Sequence, residues 1–123
     1  MKALVLSLLF FSSSITGYTI PEEEPQIYLT QLEDKYAAIY LNGVILIDYS
    51  VDINSVEGEV VLVHELTHFL QDYNSNLSLK CFAEREAYLV GDALYLHRLR
   101  IPPRITLGRL LEETCNAFPH RTE

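Results

Sequence analysis

Hydrophobic and polar positions divide the chain into stretches of different period. The first is an apolar run, Ala3 to Phe11, broken only by Ser7. Two short runs rich in β-branched and aromatic residues follow, Tyr36 to Leu41 and Val44 to Tyr49, separated by Asn42-Gly43. An Asn-Gly pair in that place predicts a β-hairpin, because a tight type I′ turn needs positive φ at both central residues. Ile27 to Thr30 is a candidate third strand.

From Val56 the period changes to that of a helix. Val56, Val60, Val63, Thr67 and Leu70 share one face, and Leu62, Leu66, Phe69 and Tyr73 share another. A helix apolar on more than one side belongs in the middle of a fold. Asn54 or Ser55 is its candidate cap, with Glu57 three residues after Asn54 as in a capping box, and Asn74, Ser75 and Asn76 end it. A second helix is expected from about Leu79 to Leu99, capped by Ser78 and stopped by Pro102-Pro103. A third, shorter one is expected from Thr106 to about Asn116, with a frayed tail from Pro119. A hairpin followed by helices predicts an α+β fold. With 123 residues there is room for one domain.

Composition changes the reading of the two ends. Apolar residues make up 49% and charged ones 21%, a globular balance. Lys2, the apolar run after it, Ser12 to Ser14 and then Gly17 have the layout of a secretory signal peptide over residues 1–17, with cleavage near Ser14 or Gly17. The run is shorter than the ~20 residues that a bilayer span needs. Its other reading is an ordinary amphipathic or buried first strand. Residues 18–25, where Pro21 and Pro25 enclose three glutamates, read as a flexible leader. The domain proper is then expected over residues 26–118 and the tail over 119–123.

An exported protein, periplasmic or secreted, follows from that leader, with no membrane attachment once it is cut. Cleavage would remove Lys2 and no acidic residue, taking the formal charge from −8 to −9. Such a surface repels phosphate backbones, which argues against a nucleic-acid partner. Cys81 and Cys115 form either a disulfide or two buried thiols, since connectivity is not readable from sequence.

The chemistry lies in His64-Glu65-Leu66-Thr67-His68, which matches H-E-x-x-H. Residues four apart on a helix lie one turn above another, so one metal ion can take both imidazoles. Glu65 is then placed to accept a proton from an activated water. A chain of this composition would show the motif by chance about 0.01 times. Two histidines and a glutamate are also costly in so apolar a helix unless they have work to do.

A catalytic zinc needs a third protein ligand and an open position. The metzincin continuation requires a glycine and a third histidine where this chain has Gln71 and Asn74, so that pattern is absent. Glu84 and Glu86 remain on the second helix. Glu84 is the preferred ligand because it shares a face with Ala87, Tyr88 and Gly91, residues suited to close helix packing, and Arg85 and Glu86 would then point away.

With His64, Glu65 and His68 matching the first motif, and Glu84 with Ala87 matching a short E-x-x-A on the following helix, the chain resembles the gluzincins, specifically their compact single-domain metallopeptidases. The resemblance covers roughly Tyr36 to Leu99. It implies a zincin-like fold, one zinc ion per chain, a peptide or protein substrate, and a hairpin that offers an edge strand to the substrate. The larger gluzincins carry an aspartate four residues after the glutamate ligand. Tyr88 stands there instead, so the group that orients a zinc histidine is unassigned.

Tyr73, Tyr88, Tyr95 and His97 are candidate donors to a developing oxyanion, each with core packing as its other reading. Gln71 and Asp72 either orient the ligands or face solvent. The expected activity is zinc-dependent peptide hydrolysis. The competing class is a non-catalytic zinc- or peptide-binding module, which has no need of Glu65 and favours a fourth protein ligand.

Overall fold

The computed structural model describes residues 1–33, 35–74, 80–101 and 115. Its order is α1 (Lys2–Thr16), β1 (Gln26–Thr30), β2 (Ala38–Leu41), β3 (Val44–Asp48), α2 (Val56–Tyr73) and α3 (Lys80–Leu99). This is an α+β arrangement. The expected Ser78 cap, most of the expected third helix and the tail from Pro119 lie outside the described residues. Cys115 is helical and buried.

The hairpin forms as its turn chemistry requires. Asn42 and Gly43 adopt φ of 49° and 84°, and Ala38 to Leu41 run antiparallel to Val44 to Ile47. The candidate third strand is also present, but it joins the far side of β3. β1 pairs parallel with β3, from Gln26 opposite Val44 to Thr30 opposite Asp48, giving the order β1-β3-β2. The consequence for function is that β2 remains an edge strand.

α2 runs unbroken through the motif. Ser55 rather than Asn54 is its cap, with its hydroxyl accepting from Gly58 N–H at 3.0 Å. Gly58 is required by a close crossing: a Cβ there would fall 1.9 Å from the Asp52 carbonyl oxygen. Both apolar faces of α2 are covered. Leu62, Val63, Leu66 and Leu70 are fully buried together with Ile45 and Ile47 of β3, Val90 and Leu94 of α3, and Leu8 and Leu9 of α1.

The apolar run at the start of the chain therefore contributes to this core. Val5, Leu8 and Leu9 are buried in it, and Ser12 meets Thr67 at 2.8 Å between the hydroxyl oxygens. Thr67 gives its own proton to the Val63 carbonyl at 2.8 Å, so Ser12 donates to Thr67. The following segment is tied down as well. Thr19 N–H donates to the Asn74 side chain, which returns a hydrogen bond to the Thr19 carbonyl, both at 3.0 Å.

Cys81 and Cys115 form a disulfide that fastens the start of α3. Among the described residues no helix is long and apolar enough to cross a membrane.

Candidate metal centre

α2 carries His64, Glu65 and His68 on the side turned towards the β2 edge and α3. The two imidazoles lie one turn apart, edge to face, with ring centroids 4.9 Å from each other. Across the α2–α3 seam, Glu84 Oε1 lies 3.3 Å from His64 Nε2 and also contacts His68 Nε2. The three candidate ligand atoms all lie within 4.8 Å of one another, so the group can hold a metal ion. Ligands about 2.0 to 2.1 Å from a tetrahedral ion stand roughly 3.3 Å apart, the separation found between Glu84 Oε1 and His64 Nε2.

Glu86 is not part of the group. Its carboxylate instead accepts from Gln71 Nε2 at 3.0 Å and from the Tyr18 hydroxyl at 2.5 Å. Arg85 lies over the Phe82 ring. The packing of α3 on α2 thus separates two glutamates only two residues apart in sequence.

The electrostatics fit a cation site. Burial works to raise the Glu84 carboxyl, but hydrogen bonds and charge from His64 and His68 outweigh it and hold the group well below the usual carboxylate range. Burial likewise opposes a charged His68, while Glu84, Gln71 and Glu65 overcome it and raise the imidazole. A bound cation would supply the positive charge that this arrangement favours.

Glu65 is 8% exposed, with a carboxylate oxygen 3.9 Å from His64 Nε2. Its pKa is raised, with burial outweighing the attraction of both histidines. The backbone of Tyr40 on β2 holds its carboxylate by a hydrogen bond.

These groups form one wall of an open cleft of about 820 Å³, whose other side is the β2 edge from Ala38 to Leu41. Of the sequence's oxyanion candidates, Tyr88 lines this cleft, with its ring centroid 4.3 Å from that of His64. Tyr73, Tyr95 and His97 are not in its lining, and His97 packs against Phe11.

Two further links brace the site: the first had no sequence signal, and the second is one of the two roles open to Gln71 from its position. Tyr40 donates its hydroxyl proton to Asp72 at 2.6 Å while accepting from Gly43 N–H at 2.8 Å, which links the hairpin turn to the end of α2. Burial and the Asp72 hydrogen bond push its pKa up to about 12. The second is the support of His68 by Gln71, at 2.8 Å from Nδ1 to Oε1. Spacing of three residues on a helix was its one legible sign.

Comparison with protein-family models, with curated proteins and with solved structures finds no match to this chain.

Proposed function

We propose that this chain is a zinc-dependent peptide hydrolase with a zincin-like fold. The observation that carries the reading is the convergence of His64, His68 and Glu84 at the wall of an open cleft, with Glu65 beside them. A structural zinc site would be closed by a fourth protein ligand.

Zinc bound by these three residues would polarise a peptide carbonyl and make water a nucleophile near neutral pH. Glu65 accepts the proton of that water and passes it to the leaving amine, and its raised pKa brings it closer to the range in which a carboxylate can do both. The β2 edge strand binds the substrate as an added strand, main chain to main chain. Tyr88 donates to the oxygen that becomes anionic. Its hydroxyl keeps its proton, because burial and the charges of Glu84 and Glu65 raise its pKa.

We also propose export, on the composition of residues 1–17 and on the disulfide, a bond typical of oxidising compartments. The function is tested by metal analysis and peptide cleavage of the purified protein with and without a chelator. One zinc per chain with chelator-sensitive cleavage supports it. Tight zinc binding with no cleavage of any peptide in a diverse library would replace it with the binding-module reading.

A further inference from the structure

A chain of hydrogen bonds leads away from the candidate ligands into the interior. His68 Nδ1 lies 2.8 Å from Gln71 Oε1. Gln71 Nε2 donates to the Ala83 carbonyl at 2.9 Å and to Glu86 Oε1 at 3.0 Å. Glu86 Oε1 also accepts from the Tyr18 hydroxyl at 2.5 Å. The chain thus joins α2 to α3 and to the segment that follows α1.

Which way a side-chain amide faces must be argued from its neighbours. Here the neighbours decide it. The Ala83 carbonyl and the Glu86 carboxylate only accept, so both protons of the Gln71 amide are directed at them and its oxygen faces His68. That oxygen also only accepts. His68 therefore carries a proton on Nδ1; without a metal its Nε2 donates to the Glu84 carboxylate, which also only accepts, and Nε2 is the atom that would exchange its proton for an ion. Gln71 is 5% exposed, which leaves little room for water to replace it.

We propose that Gln71 is the positioning residue of the metal centre: it holds His68 in the Nδ1–H tautomer that presents Nε2 to the ion, and Glu86 and Tyr18 hold Gln71. The inference rests on the metal-centre reading of His64, His68 and Glu84. It gives Glu86 a definite task, as the acceptor that keeps the Gln71 amide from turning over. It also assigns the orienting role that Tyr88 cannot take in this chain as an aspartate would.

The test uses the full chain and three variants. Gln71→Met keeps length and volume but removes the acceptor. The double exchange Gln71→Glu with Glu86→Gln restores an acceptor for His68 and a donor towards residue 71, with the same net charge. Tyr18→Phe removes only the outermost hydroxyl.

Imidazole ¹⁵N shifts of the metal-free and the zinc-loaded protein report which ring nitrogens of His68 carry protons. Zinc affinity is read by competition with a chromophoric chelator, and circular dichroism confirms folding. Wild type should show a protonated Nδ1 at His68 in both states, with Nε2 protonated without zinc and metal-bound with it. Gln71→Met should lose the hydrogen-bonded Nδ1–H signature of His68 and bind zinc about 10- to 100-fold more weakly. The exchange should recover most of that loss, and Tyr18→Phe should lose less than Gln71→Met.

A Gln71→Met protein with an unchanged signature and affinity would overturn the proposal. So would a folded exchange variant as weak as Gln71→Met, and that arm decides the matter if Gln71→Met does not fold. Should wild type bind no zinc while its Nδ1–H signature still depends on Gln71, the metal-centre reading falls and the hold of Gln71 on His68 stands.

Discussion

Glu84 Oε1 stands 3.3 Å from His64 Nε2, although twenty residues separate the two in sequence. Their meeting depends on how α3 is seated on α2, because a rotation of α3 by two residues would exchange Glu84 for Glu86. The cluster is thus a property of the helix packing as much as of the motif.

Removing Glu84 should accordingly cost more metal affinity than removing Glu86. Glu84→Ala deletes a ligand, whereas Glu86→Ala loosens a supporting hydrogen bond, a change of about 10- to 100-fold. Zinc titration of both variants checks the order. A larger loss in Glu86→Ala would reverse the ligand assignment.

Glu65→Gln should leave zinc content and folding near wild type while peptide cleavage falls by about 10² to 10⁴. Glutamine has almost the shape of glutamate but cannot take up the proton. Metal analysis beside a cleavage assay separates the two roles. Full activity in this variant would remove Glu65 from the mechanism.

The pH dependence has opposite signs for stability and for zinc. The His68 pKa is raised in the folded metal-free protein above its ordinary 6.5. Its protonated form therefore stabilises that protein fully below about 6.5, and the contribution is lost as pH rises through the folded value. Zinc needs the neutral ring. Zinc affinity should rise over the same window in which this contribution fades. Glu84 acts at the acid end: its lowered pKa stabilises the fold above the ordinary 4.5, and this is lost as pH falls towards the folded value. Chelator competition between about pH 5 and 9 follows His68, and thermal melts of the metal-free protein carried down to about pH 2 follow Glu84.

Leu8 is 0% exposed between α1 and the rest of the core. Leu8→Ala should lower stability by about 2 to 5 kcal/mol, the range for a large-to-small change at a buried site. Ser12→Ala, at the buried hydrogen bond to Thr67, should cost about 0.5 to 1.5 kcal/mol. Denaturant unfolding measures both, and a surface-like effect at Leu8 would mean that α1 is not seated as described.

Replacing Cys81 and Cys115 together by alanine should cost about 4 kcal/mol if the bond acts by restricting the unfolded chain, given its sequence separation of 34. Because Cys81 lies three residues before Glu84, weaker zinc binding should accompany the loss. Reduction of the wild type followed by zinc titration gives an independent check.

The local parts of the fold were legible where one or two residues decide the backbone. Asn42 and Gly43 specify the turn, and the run from Val56 to Tyr73 specifies a central helix because its apolar residues cover more than one face. Glu84 was preferred over Glu86 from the small residues on its face, Ala87 and Gly91, and it is Glu84 that stands beside His64 and His68. What sequence left open depends on long-range contacts. Nothing in Gln26 to Thr30 says that it pairs parallel with β3. Tyr18 and Glu86 lie 68 residues apart, with no spacing rule to join them. The apolar start reads as an export signal from its composition, and the same leucines fill a core once α2 is there to receive them.

That last overlap sets a clock. A peptidase that recognises an export signal acts on an extended or membrane-engaged chain, whereas here Leu8 and Leu9 are shut inside the domain and Ser12 is bonded to the motif helix. Once α1 has docked, it is out of reach of such an enzyme. Under the proposed export reading, cleavage would therefore have to come before α1 docks, and the speed of folding would set how much of the chain is cut.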